Sequence, residues 1–450
     1  MGGGEKLSYA PGYHANTVLV DEGLIAEAQQ VAREAQVVLV FAGLPESYET
    51  EGVDRDDMAM PAHHNALIEA VAAVNPNVVV ILMNGAPVEM PWHTKVPAIL
   101  EAYLGGQAGG SAVAQLLYGE VNPSGKLAET FPRRWEDHPA HACFPGGPKT
   151  VEYRESIFVG YRYFDTADKE VLFPFGHGLS YTRFEYSDLR LSAPSIDAGE
   201  ELTVSVTITN SGDREGQEVV QLYVRDLETT VFRPKQELKG FAKIRLEPGE
   251  AQMVSFTLDQ RAFAFWDSEL QDWKVEAGLF EIQVGASSRD FRLRERVEIS
   301  TSDGYVPKFS QRERLSEYYE PKRVRRFSRN GFEALYGRPL PDNIADQPGQ
   351  YTLNTLLDDV RGSLAGWLLR KVIWKLAKAY SMDDPDGPMA RQAEYFLRYM
   401  PLRMMVMFGS GVSLDMLEGL LLLINGKLMQ GIRKLWQEAR EKRKKEGILL

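Results

Sequence analysis

Between residues 24 and 125, short apolar runs alternate with stretches of helical spacing. Residues 24–35 (LIAEAQQVAREA) and 62–74 (AHHNALIEAVAAV) repeat apolar side chains every three or four positions, which predicts two helices. Residues 37–43 (VVLVFAG), 77–85 (NVVVILMNG) and 98–105 (AILEAYLG) are almost wholly apolar, the pattern of strands buried on both faces. Residues 111–118 read as a further helix. Strands alternating with helices imply a parallel-rich sheet flanked by helices, an α/β sandwich. Ligands of such sheets bind outside the carboxyl ends of the strands. The loops 44–60 and 86–97 are therefore singled out.

Between residues 186 and 293 the period falls to two. Residues 202–209 (LTVSVTIT) alternate, the turn Asn210-Ser211-Gly212-Asp213 follows, and residues 219–224, 239–246, 251–258 and 278–284 supply more strands. Short strands separated by turns predict an all-β immunoglobulin/fibronectin-like sandwich. Residues 301–350 are charged and punctuated by Pro and Gly, and read as a linker. Residues 353–380, 389–408 and 413–446 then read as an α-helical C-terminal extension. The expected divisions are 1–185, 186–300, 301–350 and 351–450.

A length of 450 residues fits about three domains. With 44% hydrophobic and 25% charged residues, the chain can bury a real core. Its net charge of −12 argues against nucleic acid as a partner. Cys143 is the single cysteine, which excludes an intrachain disulfide framework and a cysteine metal cluster. The first six residues lack the basic and apolar regions of a signal peptide. No apolar run reaches membrane-spanning length, since Asp415 and Glu418 interrupt the most apolar stretch. A cytoplasmic location is expected. The last twenty residues carry seven Lys and Arg against three Glu. That basic end reads as a solvated helix face, a membrane-surface contact or a self-association module.

The densest candidate chemistry lies in the loop after the first apolar run. It carries Glu46, Glu49, Glu51, Asp54, Asp56 and Asp57 with Tyr48 and Arg55. Crowded, partly buried carboxyls have raised pKa values and suit general acid catalysis on an ether-type oxygen. Arg55 is placed to keep a neighbouring carboxylate ionised. A solvated acidic loop or a weak cation site remains an alternative. No metal site is assigned. The spacing is not that of an EF-hand, and the adjacent helix positions His63 and His64 point too far apart to share an ion. The Gly-rich turn at 105–111 lacks the Gly-Lys-Ser/Thr of a P-loop and the spacing of a dinucleotide fingerprint.

Taken together, several segments in order resemble the second half of a family-3 glycoside hydrolase of the β-glucosidase and β-xylosidase type. They are ETEGVDR (49–55) with Met60-Pro61, VVVILMNGAPV (78–88), YLGGQAG (103–109) and GEVNPSGKL (119–127). Thr130-Phe131-Pro132, VGYRYF (159–164) and FPFGHGLSY (173–181) continue the set. Residues 216–223 and Leu238-Lys239-Gly240-Phe241 resemble the family's fibronectin type III-like domain. The resemblance spans residues 16–293. It implies a retaining hydrolase of β-linked glycosides that uses no cofactor. An Asp on a (β/α)₈ barrel would be the nucleophile and a Glu on the sandwich loop the acid/base. That role carries over to Glu51, with Glu49 in reserve. Tyr48 would line the sugar site and Arg55 would order the loop. Such a barrel takes about 250 residues, and neither the start nor the helical end of the chain reads as one. The expectation is a β-glycosidase portion inactive alone, completed by a separate barrel domain or chain. A non-catalytic carbohydrate-binding or scaffolding protein is the competing expectation.

Overall fold

The computed structural model describes residues 7–15, 19–45, 48, 49, 54–302, 304–306, 312–380, 393, 397–407 and 412–445. The first layer begins with α1 (Glu22–Glu34), capped by the Asp21 side chain on the amides of Gly23 and Leu24. It continues through β1 (Val38–Gly43), α2 (Ala62–Ala72), β2 (Val78–Met83), β3 (Ala98–Glu101) and α3 (Gly109–Leu117). The three strands pair in parallel in the order β1-β2-β3. Val40, Ala42, Val78, Val80 and Leu82 face Ile25, Leu67, Ile68 and Val71 of the helices. Only β2 is buried on nearly all sides as its composition predicts; β1 leaves Leu39 and Phe41 40% and 47% exposed and no residue of β3 is fully buried, so the outer strands are covered on one face rather than both.

β4 (Phe131–Pro132), α4 (Tyr161–Thr166) and β5 (Val171–Phe173) lead to the second layer. β6 (Phe184–Leu191), β7 (Ser195–Asp197), β8 (Leu202–Asn210), β9 (Gly216–Asp226), β10 (Glu237–Leu246) and β11 (Ala251–Leu258) follow. After the short α5 (Gln260–Phe263), β12 (Phe265–Asp267) and β13 (Asp272–Lys274) come β14 (Gly278–Gly285) and β15 (Phe291–Ser300). One sheet has the order β10-β9-β14-β15-β7 and the other β11-β8-β6. Alternate residues Leu202, Val204, Val206 and Ile208 of β8 meet Val220, Leu222, Ile282 and Val284 across a dry core. This is the all-β sandwich that the period of two predicts.

The two layers are keyed together by polar groups on the outer face of β9. Gln221 Nε2 donates to the carbonyls of Gly176, 3.1 Å, and Ala286, 2.8 Å, while the Tyr223 hydroxyl donates to Gln221 Oε1 at 2.7 Å. Tyr161 stacks on Phe175, and its hydroxyl accepts from the Leu238 amide at 2.8 Å. Buried Asp165 pairs with Arg289 at 2.5 Å, and Lys126 pairs with Glu218 at 2.9 Å. A Cβ on Gly176 would sit 2.1 Å from Gln221 Oε1, and its φ is +80°. The FPFGHGLSY segment is thereby committed to the domain junction.

Residues 312–350 carry α6 (Ser316–Tyr319) and α7 (Arg329–Tyr336). Tyr318 and Phe327 stack and pack with Phe158, Tyr163 and Phe164 of the α/β layer. A Pro/Gly-punctuated stretch is thus bound down by aromatic burial, which its charge content hides. In the C-terminal part, residues 353–362 are not the start of a long helix. Residues 353–357 hydrogen-bond to residues 400–403, including Leu357 N to Met400 O at 3.0 Å and Leu402 N to Thr355 O at 3.0 Å, and Asp359–Gly362 form a 3₁₀ turn. Helix α8 (Leu364–Tyr380) begins only afterwards. Beyond the short α9 (Met404–Met407), residues 413–446 do not form one helix. They form a hairpin of α10 (Leu414–Ile424) and α11 (Leu428–Lys445). Gly426, at φ +78°, makes the left-handed turn, and Asn425 exchanges hydrogen bonds of 2.8 Å with the Tyr351 backbone. The helix expected at 389–408 is interrupted: residues 400–403 leave it to pair with residues 353–357, and residues 389–392, 394–396 and 408 lie outside the described residues.

The junction yields a graded prediction. Gly176→Ala should destabilise the chain by about 2 kcal/mol or more, because it adds a clash to a left-handed backbone. Gly119→Ala, with similar φ but open space around its Cβ, should cost only about 1 kcal/mol. Urea unfolding of both variants beside the wild type measures the difference.

Candidate active site at the carboxyl edge of the parallel sheet

Because β1, β2 and β3 run parallel, their carboxyl ends open on one edge. A Cβ at Gly43 would lie 1.9 Å from the Met83 carbonyl oxygen, so only glycine lets β1 leave the sheet so close to β2. The acidic loop that follows is tied back at two points. Both carboxylate oxygens of Glu49 accept from the Gly85 amide, at 3.0 and 2.8 Å. The Arg55 guanidinium donates to the carbonyls of Pro87 and Ala59, each at 3.4 Å. Burial pulls the Arg55 pKa down, against the opposing charges of Glu49 and Asp57. The half-buried Tyr48 donates its amide to Pro45 O at 2.8 Å and lies near enough to Arg55 to interact with its charge. Asp57 accepts from the Ala59 amide at 2.9 Å. Tyr48, Glu49 and Arg55 are thus brought together. Glu51 falls outside the described residues.

A second carboxylate group at the same edge was not anticipated by the sequence reading. Glu101, the last residue of β3, accepts from Tyr103 N at 3.0 Å and from Asn84 Nδ2 at 3.3 Å. The Tyr103 hydroxyl donates to Glu129 at 3.3 Å. Tyr103 has φ of 48°, a strained conformation for a residue with a side chain. Burial pushes the Glu101 pKa up from 4.5 to about 7, with the charges of Glu129 and Glu49 acting the same way. Burial raises Glu129 too. Burial thus favours the protonated form of both carboxyls, while Glu49 is engaged by a backbone donor. One signal was available: Glu101 is the lone charge in an otherwise apolar run at a strand's carboxyl end.

The other candidates resolve into structure. The rings of His63 and His64 do come together, contrary to their helical spacing, tilted with centroids 4.2 Å apart, and both pack tilted or edge-on against Tyr13. His64 Nδ1 lies 2.9 Å from Gly43 O, and burial with the neighbouring His63 pulls its pKa down to about 4. Among the described residues, no group of three or more His, Cys, Asp or Glu side chains is arranged to hold a metal ion. In the Gly-rich turn, a Cβ at Gly106, Gly109 or Gly110 would meet nothing within 4 Å. Close packing therefore does not account for those three glycines, although Gly106 needs its φ of +63°.

Comparison with known proteins bears on this edge directly. Residues 8–181 match the glycosyl hydrolase family 3 C-terminal domain, and residues 218–288 match a fibronectin type III-like domain. Thermostable β-glucosidase B of Acetivibrio thermocellus is 43% identical over 427 residues, covering 94% of this chain and 51% of the relative. An exo-α-(1→6)-L-arabinopyranosidase of Bifidobacterium longum is 46% identical over 288 residues, covering 64% and 38%. The crystal structure of a Bifidobacterium adolescentis GH3 β-glucosidase superposes with a TM-score of 0.65 at 42% identity, covering 70% of this chain and 47% of that one. The chain thus spans about half the length, or less, of the curated relatives it matches. The first of them is similar through the helical C-terminal part as well. The chain carries the C-terminal domain of glycosyl hydrolase family 3 at residues 8–181, followed by a fibronectin type III-like domain at residues 218–288.

Proposed function

We propose that this chain is the acid/base-supplying portion of a retaining β-glycosidase that hydrolyses the O-glycosidic bonds of β-glucosides or similar sugars. The observation that carries the reading is the double anchoring of the acidic loop, by Glu49 on Gly85 and by Arg55 on Pro87 and Ala59. Glu51 is the carboxylate between these anchors in sequence, and it is the acid/base. It protonates the leaving oxygen as the anomeric carbon is attacked. It then takes a proton from the water that hydrolyses the glycosyl intermediate. Glu49, the reserve for that role, pins the loop instead, because both its oxygens already accept from Gly85. Tyr48 lines the sugar and Arg55 orders the turn.

Double displacement needs a second carboxylate about 5–5.5 Å from the first. That nucleophile comes from a barrel outside these 450 residues, in a longer protein or a partner chain. Names among the relatives include both β-glucosidases and an arabinopyranosidase, so the sugar is left to that barrel to decide. The single cysteine, Cys143, suits a reducing cytoplasmic compartment. Among the described residues, no helix is long and apolar enough to cross a membrane.

Assays of the chain alone and of a chimaera test this reading. The purified chain should show only background release from p-nitrophenyl β-glucoside. A chimaera in which it replaces the matching part of the Acetivibrio thermocellus β-glucosidase should turn over. In that chimaera Glu51→Gln should lower kcat by about 10²–10⁴-fold. Turnover by the chain alone that survives Glu51→Gln would overturn the assignment.

A separate measurement, of the pH dependence of stability, tests the burial of Glu101 at the same edge. Glu101 has a folded-state pKa above its ordinary value, so its favourable contribution is complete below pH 4.5 and is lost as the pH rises through about 7. At roughly 1.4 kcal/mol for each pKa unit, the loss is at most about 3 kcal/mol. Glu101→Gln removes the ionisation. Relative to wild type it should therefore be more stable at pH 8 than at pH 4.5, as read by thermal unfolding at both values. A difference independent of pH would refute the buried-proton account.

A further inference from the structure

Helices α8 and α11 each leave one face uncovered. On α8 the exposed positions are Leu364, Trp367, Leu368, Lys371, Val372 and Lys375, a three-and-four spacing that makes a single stripe. Its other side, with Leu369 and Ile373, packs on a core that includes Leu417 of α10. On α11, Leu428, Met429, Ile432 and Trp436 form a matching stripe, with Met429 82% and Trp436 64% exposed. Gly431 and Leu435 face the other way, against Leu423 and Gly419 of α10. Both stripes are therefore left over after the hairpin has packed.

Cations are interleaved with the apolar side chains. Lys371 Nζ lies 3.8 Å from the centre of the Trp367 ring, and Arg440 Cζ lies 5.5 Å from that of Trp436. Arg370 pairs with Asp358, and Lys434 with Asp415 and Glu418, but Lys371, Lys375, Arg433 and Arg440 stand on the exposed sides of the two helices, although the whole chain has a net charge of −12. A second copy would bring the same basic face against this one, and like charges would repel. A nucleic acid would satisfy the cations and leave the apolar stripes in water. A bilayer with anionic headgroups satisfies both, because it offers hydrocarbon to Leu, Ile and Trp and negative charge to Lys and Arg.

We infer that the exposed stripes of α8 and α11, centred on Trp367 and Trp436, bind an anionic lipid surface at the headgroup boundary. This goes beyond the hydrolase reading and does not depend on it. The test is co-sedimentation of the full chain with phosphatidylcholine vesicles, pure or containing about one-third phosphatidylserine. At low salt, binding to the phosphatidylserine vesicles should exceed that to pure phosphatidylcholine about tenfold or more, and it should fall in about 0.5 M salt. The pairs Trp436→Ser with Ile432→Ser and Trp367→Ser with Leu368→Ser should each reduce binding about tenfold. All four positions are exposed, so the circular dichroism and thermal midpoint should be retained. Arg433→Glu, at another exposed position, should weaken binding to the anionic vesicles alone. Absence of binding, equal binding to pure phosphatidylcholine, or binding unchanged in the serine variants would overturn the inference. Light scattering that detects a dimer abolished by these variants, without vesicle binding, would assign the face to a second copy and overturn it too.

Discussion

The bond from the Gly85 amide to both oxygens of Glu49 holds the acidic loop to the end of β2. A loop rich in carboxylates repels itself and would otherwise extend into solvent. One backbone donor, presented where β2 ends, gives it a fixed point, and Arg55 gives it a second on Pro87 and Ala59. Gly85 and Pro87 belong to the same turn. That turn therefore orders the candidate site, and it is itself ordered by Asn84, whose amide reaches Ala86 O and Glu101.

The same edge separates carboxylates by environment. Glu49 accepts from an amide at the exposed rim. Glu101 and Glu129 sit deeper, where burial favours the neutral form and Glu49 adds to the effect. Charge alone would push them apart. The Tyr103 amide and hydroxyl, both hydrogen-bonded to these acids, link the inner pair. Tyr103 holds a left-handed conformation to do so.

The sandwich of β-strands takes its place through its polar outer face rather than its core. Gln221, itself held by the Tyr223 hydroxyl, bonds the Gly176 carbonyl, and Arg289 bonds Asp165 of α4 and the Lys169 carbonyl; such directed bonds fix orientation as apolar contact does not. The aromatic strap around Tyr318 and Phe327 closes over the same α/β layer from another side. The candidate site therefore rests on a layer gripped at two places remote from it.

Periodicity by itself determined the layers. Runs without polar interruption, such as residues 78–83, can be satisfied only inside a sheet, and the alternation of residues 202–209 only on one with two unlike faces. The linked motifs likewise determined the family and pointed to the acidic loop. What tertiary structure decided were the pairings between distant residues. Nothing local distinguishes Glu49 from its neighbours until the Gly85 amide meets it. Glu101 looks like a blemish in an apolar strand until Asn84 and Tyr103 surround it. Residues 353–357 have helical composition, yet they hydrogen-bond to residues 400–403 instead. Asn425-Gly426 permits a turn, but the Tyr351 backbone makes use of it. Local pattern reports how a segment can bury its apolar side chains. Which polar group answers which is fixed only when the chain brings them together.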